Sequence, residues 1–217
     1  MTRIVLRPVA SSLPLGFFAF GTGTVLLSAL ELQWVPAAQG SVLMAMVLAF
    51  VVPLELLAGV FAFLARDGGA ATALTLLGAA WTAIAVTILR APPGATSASL
   101  GIFLLTLATL MLMLSAGALR SKPLLGVLLA IGACRFVLSA LYELSAGGAG
   151  LERASGWTGV PLVALSLYSG LAFLLEEGAQ RTVLPLGRRG RARTSLEGGL
   201  GDQIERAESE PGVRRQL

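Results

Sequence analysis

Residues 42–64 read VLMAMVLAFVVPLELLAGVFAFL, 23 positions that contain one ionisable side chain, Glu55. Coiled at 1.5 Å per residue, that stretch extends about 34 Å, enough to cross a hydrocarbon core of roughly 30 Å. Lipid offers no partner for free peptide groups, so a run of this kind spans as a helix whose backbone satisfies itself. Working outward in both directions, runs of similar length recur at residues 13–34, 70–89, 98–119, 123–144 and 157–175. The pattern predicts an all-α polytopic membrane protein with six transmembrane helices.

Composition agrees. Of 217 residues 55% are hydrophobic and 13% charged, and the mean hydropathy is +0.81, whereas a soluble domain carries about a quarter charged residues. The gaps between runs hold turn formers: Pro36 and Gly40, Asp67-Gly68-Gly69, Pro92-Pro93-Gly94, Ser121 with Pro123, and Gly147-Gly148-Ala149-Gly150. None has room for a soluble domain. The first run follows Arg3 and Arg7 but is long for the apolar part of a signal peptide, and Pro36-Ala37-Ala38 makes a weak cleavage site, so it is expected to remain as the first span.

Lys and Arg set the orientation, because short cytoplasmic loops are enriched in them. Arg3, Arg7, Arg66, Arg120, Lys122, Arg181 and the arginines from Arg188 onward fall on one side; Arg90 and Arg153 fall on the other. Both termini are therefore expected in the cytoplasm. The expected organisation is a cytoplasmic segment over 1–12, a six-helix domain over 13–187 and a disordered basic tail over 188–217, whose Arg, Gly, Glu and Ser bury too little to offset ordering entropy. Positive-inside bias suffices to explain Arg188, Arg189, Arg191 and Arg193; contact with anionic membrane lipid is the alternative. The formal charge of +4 and pI near 10.2 arise from these ends, so no nucleic-acid partner is expected.

The chain has no histidine and one cysteine, Cys134, which removes the usual zinc and iron sites and Ser/His/Asp hydrolysis. Neither enzyme activity, a metal nor a cofactor is expected. Charges inside spans carry more information, since each costs roughly 2.5–3.5 kcal/mol at mid-helix. Glu55 lies in the second run, Arg135 in the fifth, and Glu143 near the outer end of the fifth. Counted along their helices, Glu55 lies about 20 Å and Arg135 about 15 Å below the outer edge, depths that let them pair. Two roles fit. In one, Arg135 attracts a carboxylate while Glu55 exchanges a proton, as a desolvated carboxyl does readily when no cation is near; in the other the two form a fixed structural pair.

Ser139, Tyr142 and Glu143 share a helical face with Arg135. The first helix repeats the pattern with Thr24, Ser28 and Glu31, and the third offers Thr72, Thr75 and Thr82, either lining a watery path or bonding across helix interfaces. Pro53 deprives the carbonyl of Ala49 of its helical partner and predicts a kink beside Glu55. Small residues at four-residue spacing, such as Ala19 with Gly23, predict close helix approach.

Several short motifs add to this. Pro14-Leu15-Gly16 with Phe20-Gly21 and Thr24, Ala58-Gly59, Gly78 with Trp81, Gly156-Trp157-Thr158-Gly159, Tyr168, Glu177 and Arg181-Thr182-Val183-Leu184-Pro185-Leu186-Gly187 together resemble the acetate uptake transporter family, which includes bacterial succinate-acetate permeases. The resemblance covers residues 11–187 and is strongest at its two ends. It implies a homo-hexamer in a prokaryotic inner membrane, with a path through each protomer for acetate or similar small monocarboxylic acids coupled to protons. It further implies Phe20 and Leu77 at a narrowing. Departures accompany it: the family opening Asn-Pro-Ala-Pro-Leu-Gly keeps only its second half, Leu77 replaces a typical Tyr, Glu55 a Gln and Arg135 an apolar residue. The expected function is proton-coupled symport or passage of the protonated acid; alternatives are another small solute, such as ammonia, an amide or a longer acid, and a non-transporting membrane scaffold.

Overall fold

Each run becomes one helix in the computed structural model, which describes residues 10–179, 181–189 and 201. The spans are α1 (Leu13–Glu31), α2 (Ala37–Leu64), α3 (Gly68–Arg90), α4 (Ala98–Ala118), α5 (Pro123–Leu144) and α6 (Ala149–Ala179), all long and apolar enough to cross a membrane. Pro14 and Pro123 sit in the first turns of α1 and α5, where a missing N–H costs no helical bond. Asp67 and Ser97 cap α3 and α4, their side-chain oxygens accepting from Ala70 N and Leu100 N at 3.3 Å each. Observed boundaries fall within a few residues of the expected ones except at α6, which begins eight residues earlier than 157. Glu152 and Arg153 lower the hydropathy of that first stretch without opposing helix formation.

α2 is not uniform. A 3-10 turn (Ala37–Gln39) leads into α-helix (Gly40–Met46), a π turn (Val47–Val51) and α-helix again (Val52–Leu64). The expected disturbance at Pro53 thus takes the form of a widened turn just before it, a common accommodation of a proline in a span. One extra residue per turn rotates everything downstream by about 100° relative to a straight helix, and Glu55 is among the residues so rotated.

The six helices close a ring. Each packs on the next in sequence and α6 returns to α1; α4 with α5 and α1 with α6 have the longest contacts. Glycines set the α1–α6 approach: a Cβ on Gly170 would lie 2.6 Å from the Phe18 ring, and one on Gly156 2.7 Å from Leu32. Gly16 likewise admits Leu74 of α3, at 2.6 Å from where its Cβ would be, so the Pro14-Leu15-Gly16 motif seats the head of α1 against its neighbours. Outside the ring Val42, Met46, Phe50, Val60, Ile102, Leu112 and Met113 are exposed, the apolar belt that lipid covers.

Leu13 at the head of α1 and Arg188 beyond α6 line one small cavity, so α1 starts and α6 finishes at the same end of the ring. At that end Lys122 Nζ meets Asp67 Oδ2 at 2.5 Å, joining the α2–α3 and α4–α5 turns. The expectation of a disordered tail lies outside the described residues except at Arg188, Arg189 and Gly201. Arg188 departs from it: the residue is packed under the ring, its guanidinium 2.5 Å from Glu176 Oε1.

Candidate functional site

At the opposite end the ring opens into a vestibule of about 560 Å³. The α1–α2 connection at Pro36–Ala38 and the α3–α4 connection at Pro92–Ala95 form its mouth. The lining that lies furthest from the mouth along its helices is Phe20 of α1, Leu77 of α3, Gly132 of α5 and Leu162 of α6, all buried. Beneath this apolar floor the ring is filled by Leu107, Met111, Leu128 and Leu129. Phe20 is backed by Trp81, with ring centroids 6.4 Å apart.

One wall is polar. Arg135 projects from mid-α5 and donates from Nη1 to Ser28 Oγ (2.8 Å) and from Nη2 to Glu31 Oε2 (2.7 Å). Glu31 Oε1 accepts from Ser155 Oγ at 2.9 Å, and Ser155 and Ser139 share a hydrogen bond of 2.7 Å. The chain of groups thus links α1, α5 and α6. Gly159 makes room for it: a Cβ there would land on Arg135 Nη1 and on Ser28 Oγ. That clash gives the Gly156-Trp157-Thr158-Gly159 motif a physical meaning in this chain, since its last glycine is the slot for a buried guanidinium.

Of the seven path residues expected from the sequence, Phe20, Leu77, Thr24, Arg135, Ser139 and Tyr142 line this one cavity, and Glu55 does not. Thr24 turns its hydroxyl back to donate to the Phe20 carbonyl (2.8 Å). Glu143 sits at the rim, where its carboxylate accepts from the Ser97 N–H at 2.5 Å and holds the start of α4. The threonines of α3 singled out from the sequence do not line the vestibule. Thr72, Thr75 and Thr82 bond to their own helix carbonyls, while α3 faces the vestibule with Leu77, Ala80, Trp81 and Ile84.

The expected pairing of Glu55 with Arg135 is corrected: the partner of Arg135 is Glu31. Depth alone does not decide pairing; the direction in which each side chain leaves its helix does. Arg135 faces α1 and α6, whereas Glu55 faces α3, its Cβ 3.5 Å from where a Cβ of Gly78 would lie. Glu55 is fully buried, and neither carboxyl oxygen reaches a hydrogen-bond partner. The side-chain donor that faces it is the Trp81 indole N–H, which is itself buried without a partner within hydrogen-bond distance. Trp81 therefore stands between the vestibule, which it lines, and a concealed carboxyl.

Residues 1–187 match the model of the GPR1/FUN34/yaaH family. The chain belongs to that family. It is 27% identical over 183 residues to the succinate-acetate/proton symporter SatP of Escherichia coli K12, covering 82% of this chain and 96% of that protein, and matches the Shigella flexneri SatP to the same degree. Its fold is that of the bacterial acetate channel SatP, with a TM-score of 0.72 at 24% identity over 82% of this chain and 99% of the channel. The chain is an integral membrane protein of a transporter family and not an enzyme.

The other family motifs take up structural posts. Gly78 lets Leu56 approach to 3.0 Å of its would-be Cβ, and Trp81 fills the space that Gly23 leaves, 2.9 Å from its would-be Cβ. Tyr168 donates its hydroxyl to the Pro185 carbonyl (2.9 Å), while Arg181 and Thr182 are exposed. Ser155 and Gly159 are site residues that sequence reasoning missed as such. Their signal was a serine and a glycine four apart on the helix that follows Arg135, legible only with the partner helix in place.

Proposed function

We propose that this chain carries acetate or similar small monocarboxylic acids across a prokaryotic inner membrane, either as the protonated acid or with a coupled proton. The vestibule that narrows onto Phe20, Leu77 and Leu162 carries this reading. An apolar floor admits a neutral acid far more readily than its anion, because an unpaired charge there finds nothing to replace its water. Arg135 lines the approach, and its two observed hydrogen bonds use two of five N–H groups, leaving donors for a carboxylate oxygen. Glu31 balances the charge, so the vestibule receives the acid without trapping its anion.

Glu55, one side chain behind Trp81, is the group proposed to hold and release the coupled proton. The proposed orientation has both termini in the cytoplasm and the vestibule facing outward, and the distribution of Arg and Lys supports it. The relatives named as SatP support the substrate class, and a homo-hexamer seated in lipid is the proposed working form.

Uptake of labelled acetate into proteoliposomes, with and without an inward proton gradient and against unlabelled short acids, tests the proposal. Gradient-stimulated uptake blocked by short acids is expected. Uptake no greater than into empty liposomes would transfer the function to another small solute.

A further inference from the structure

Among the described residues beyond α6, 181–189 stay against the ring. They run back beneath the end opposite the vestibule, held at several points. The Pro185 carbonyl accepts from Tyr168, Leu186 is buried, and the Arg189 N–H donates to the Ser121 carbonyl at 2.9 Å. Gly187 takes φ +66°, and a Cβ on it would lie 2.9 Å from the Pro123 ring, so a glycine is needed for the chain to turn so close to α5.

Arg188 points inward. Its Nη1 lies 2.5 Å from Glu176 Oε1, and its guanidinium carbon 5.0 Å from the centroid of the Phe173 ring. Phe173 in turn stacks on Phe17, centroids 5.6 Å apart and planes 10° from parallel. Phe17, Phe173, Leu186 and Arg188 are among the walls of a cavity of about 20 Å³, room for about one water and too small for a carboxylic acid. The floor of the vestibule and this stack are thus two closures in series.

We propose that the stack is a second gate of the path and that Arg188 is its latch. Arg188 clamps Phe173 against Phe17 while it is paired with Glu176, and an acid that has crossed the floor opens the gate by offering its own oxygens to the guanidinium in place of Glu176. The latch is built to exchange partners. Glu176 holds Arg188 through one oxygen, its other oxygen is buried without a hydrogen bond, and the guanidinium is partly open to solvent. Phe173 covers one face of the guanidinium with apolar surface, while the part left open to solvent is where an incoming carboxylate can reach it. This inference takes its purpose from the transport reading, but its test does not depend on that reading.

Ser169 is buried and lines the small cavity, so a thiol there reports whether the gate is open. In full-length reconstituted protein carrying Cys134→Ser and Ser169→Cys, modification by a small water-soluble methanethiosulfonate present on both sides is expected to be slow. Arg188→Gln is expected to speed it at least tenfold, and Glu176→Gln, which keeps the local volume, to do the same should the arginine variant fold poorly. Added acetate is expected to speed modification in the latched protein and to lose its effect in Arg188→Gln. Equal rates with and without the latch would overturn the proposal. In acetate flux, Arg188→Gln is expected to exceed the parent severalfold; a fall or no change alongside rapid labelling would make Arg188 a structural tie instead. Absence of flux in the parent itself would count against the transport reading and leave the labelling result to decide the gate.

Discussion

At the residue scale the central object is the guanidinium of Arg135, held by Ser28 and Glu31 and seated in the slot left by Gly159. Gly159→Ala is expected to cost about 1–3 kcal/mol, since neither the helix backbone nor a doubly bonded guanidinium yields easily; thermal unfolding in detergent measures it. Removing one side of the pair is worse: Arg135→Gln or Glu31→Gln alone is expected to cost about 3–5 kcal/mol, and the double replacement less than the sum, because the single changes strand a buried charge. An additive double replacement would show that the two residues do not interact. Glu55→Gln, by contrast, breaks no observed hydrogen bond and is expected to leave stability unchanged or slightly raised while altering proton-dependent flux. The sequence showed that Glu55, Arg135 and Glu143 are charges in costly places and that Glu31 belongs to a polar stripe on the first helix. It did not show which of them meet, because depth follows from counting residues whereas facing direction depends on helix rotation, and the π turn before Pro53 resets that rotation for Glu55.

Among the elements, span lengths follow directly from hydropathy, and the structure moves the ends by only a few residues except at the charged start of α6. Helix endings were harder to foresee. Gln33, Arg66 and Ala146 all adopt positive φ just past α1, α2 and α5, at a position where glycine is usual. Each end closes in the same way, for instance Gly147 N to Tyr142 O at 2.9 Å after α5. A side chain there costs about 1 kcal/mol, so Ala146→Gly is expected to raise stability by a little under that amount, read as a higher unfolding midpoint. The α3 threonines show the opposite limit. Their spacing suits a watery stripe equally well as an interface, and only the contact of Thr75 with Gly59 across the α2–α3 seam, 2.5 Å from a would-be Cβ, assigns that threonine to packing.

At the scale of the whole molecule, the ring joins an accessible vestibule to an apolar floor, and that order of parts predicts how transport responds to pH and to size. If the neutral acid is the species that crosses the floor, uptake at fixed total acetate rises as external pH falls, by about tenfold per unit while the pH stays well above the acid's own pKa. A flat profile from neutral to mildly acidic pH would contradict passage of the protonated form. The family, six spans and motifs at both ends were legible in the sequence because they are local in the chain; the vestibule was legible only as a set of residues, since the slot for Arg135 is made by three helices at once. The role of the apolar floor is tested most simply by acetate flux in proteoliposomes through Leu77→Ala and Leu77→Trp beside the parent protein. Opposite effects are expected: the smaller side chain raises flux and admits longer acids, and the larger one abolishes flux without loss of folded protein. Flux unaltered by both replacements would place the path elsewhere.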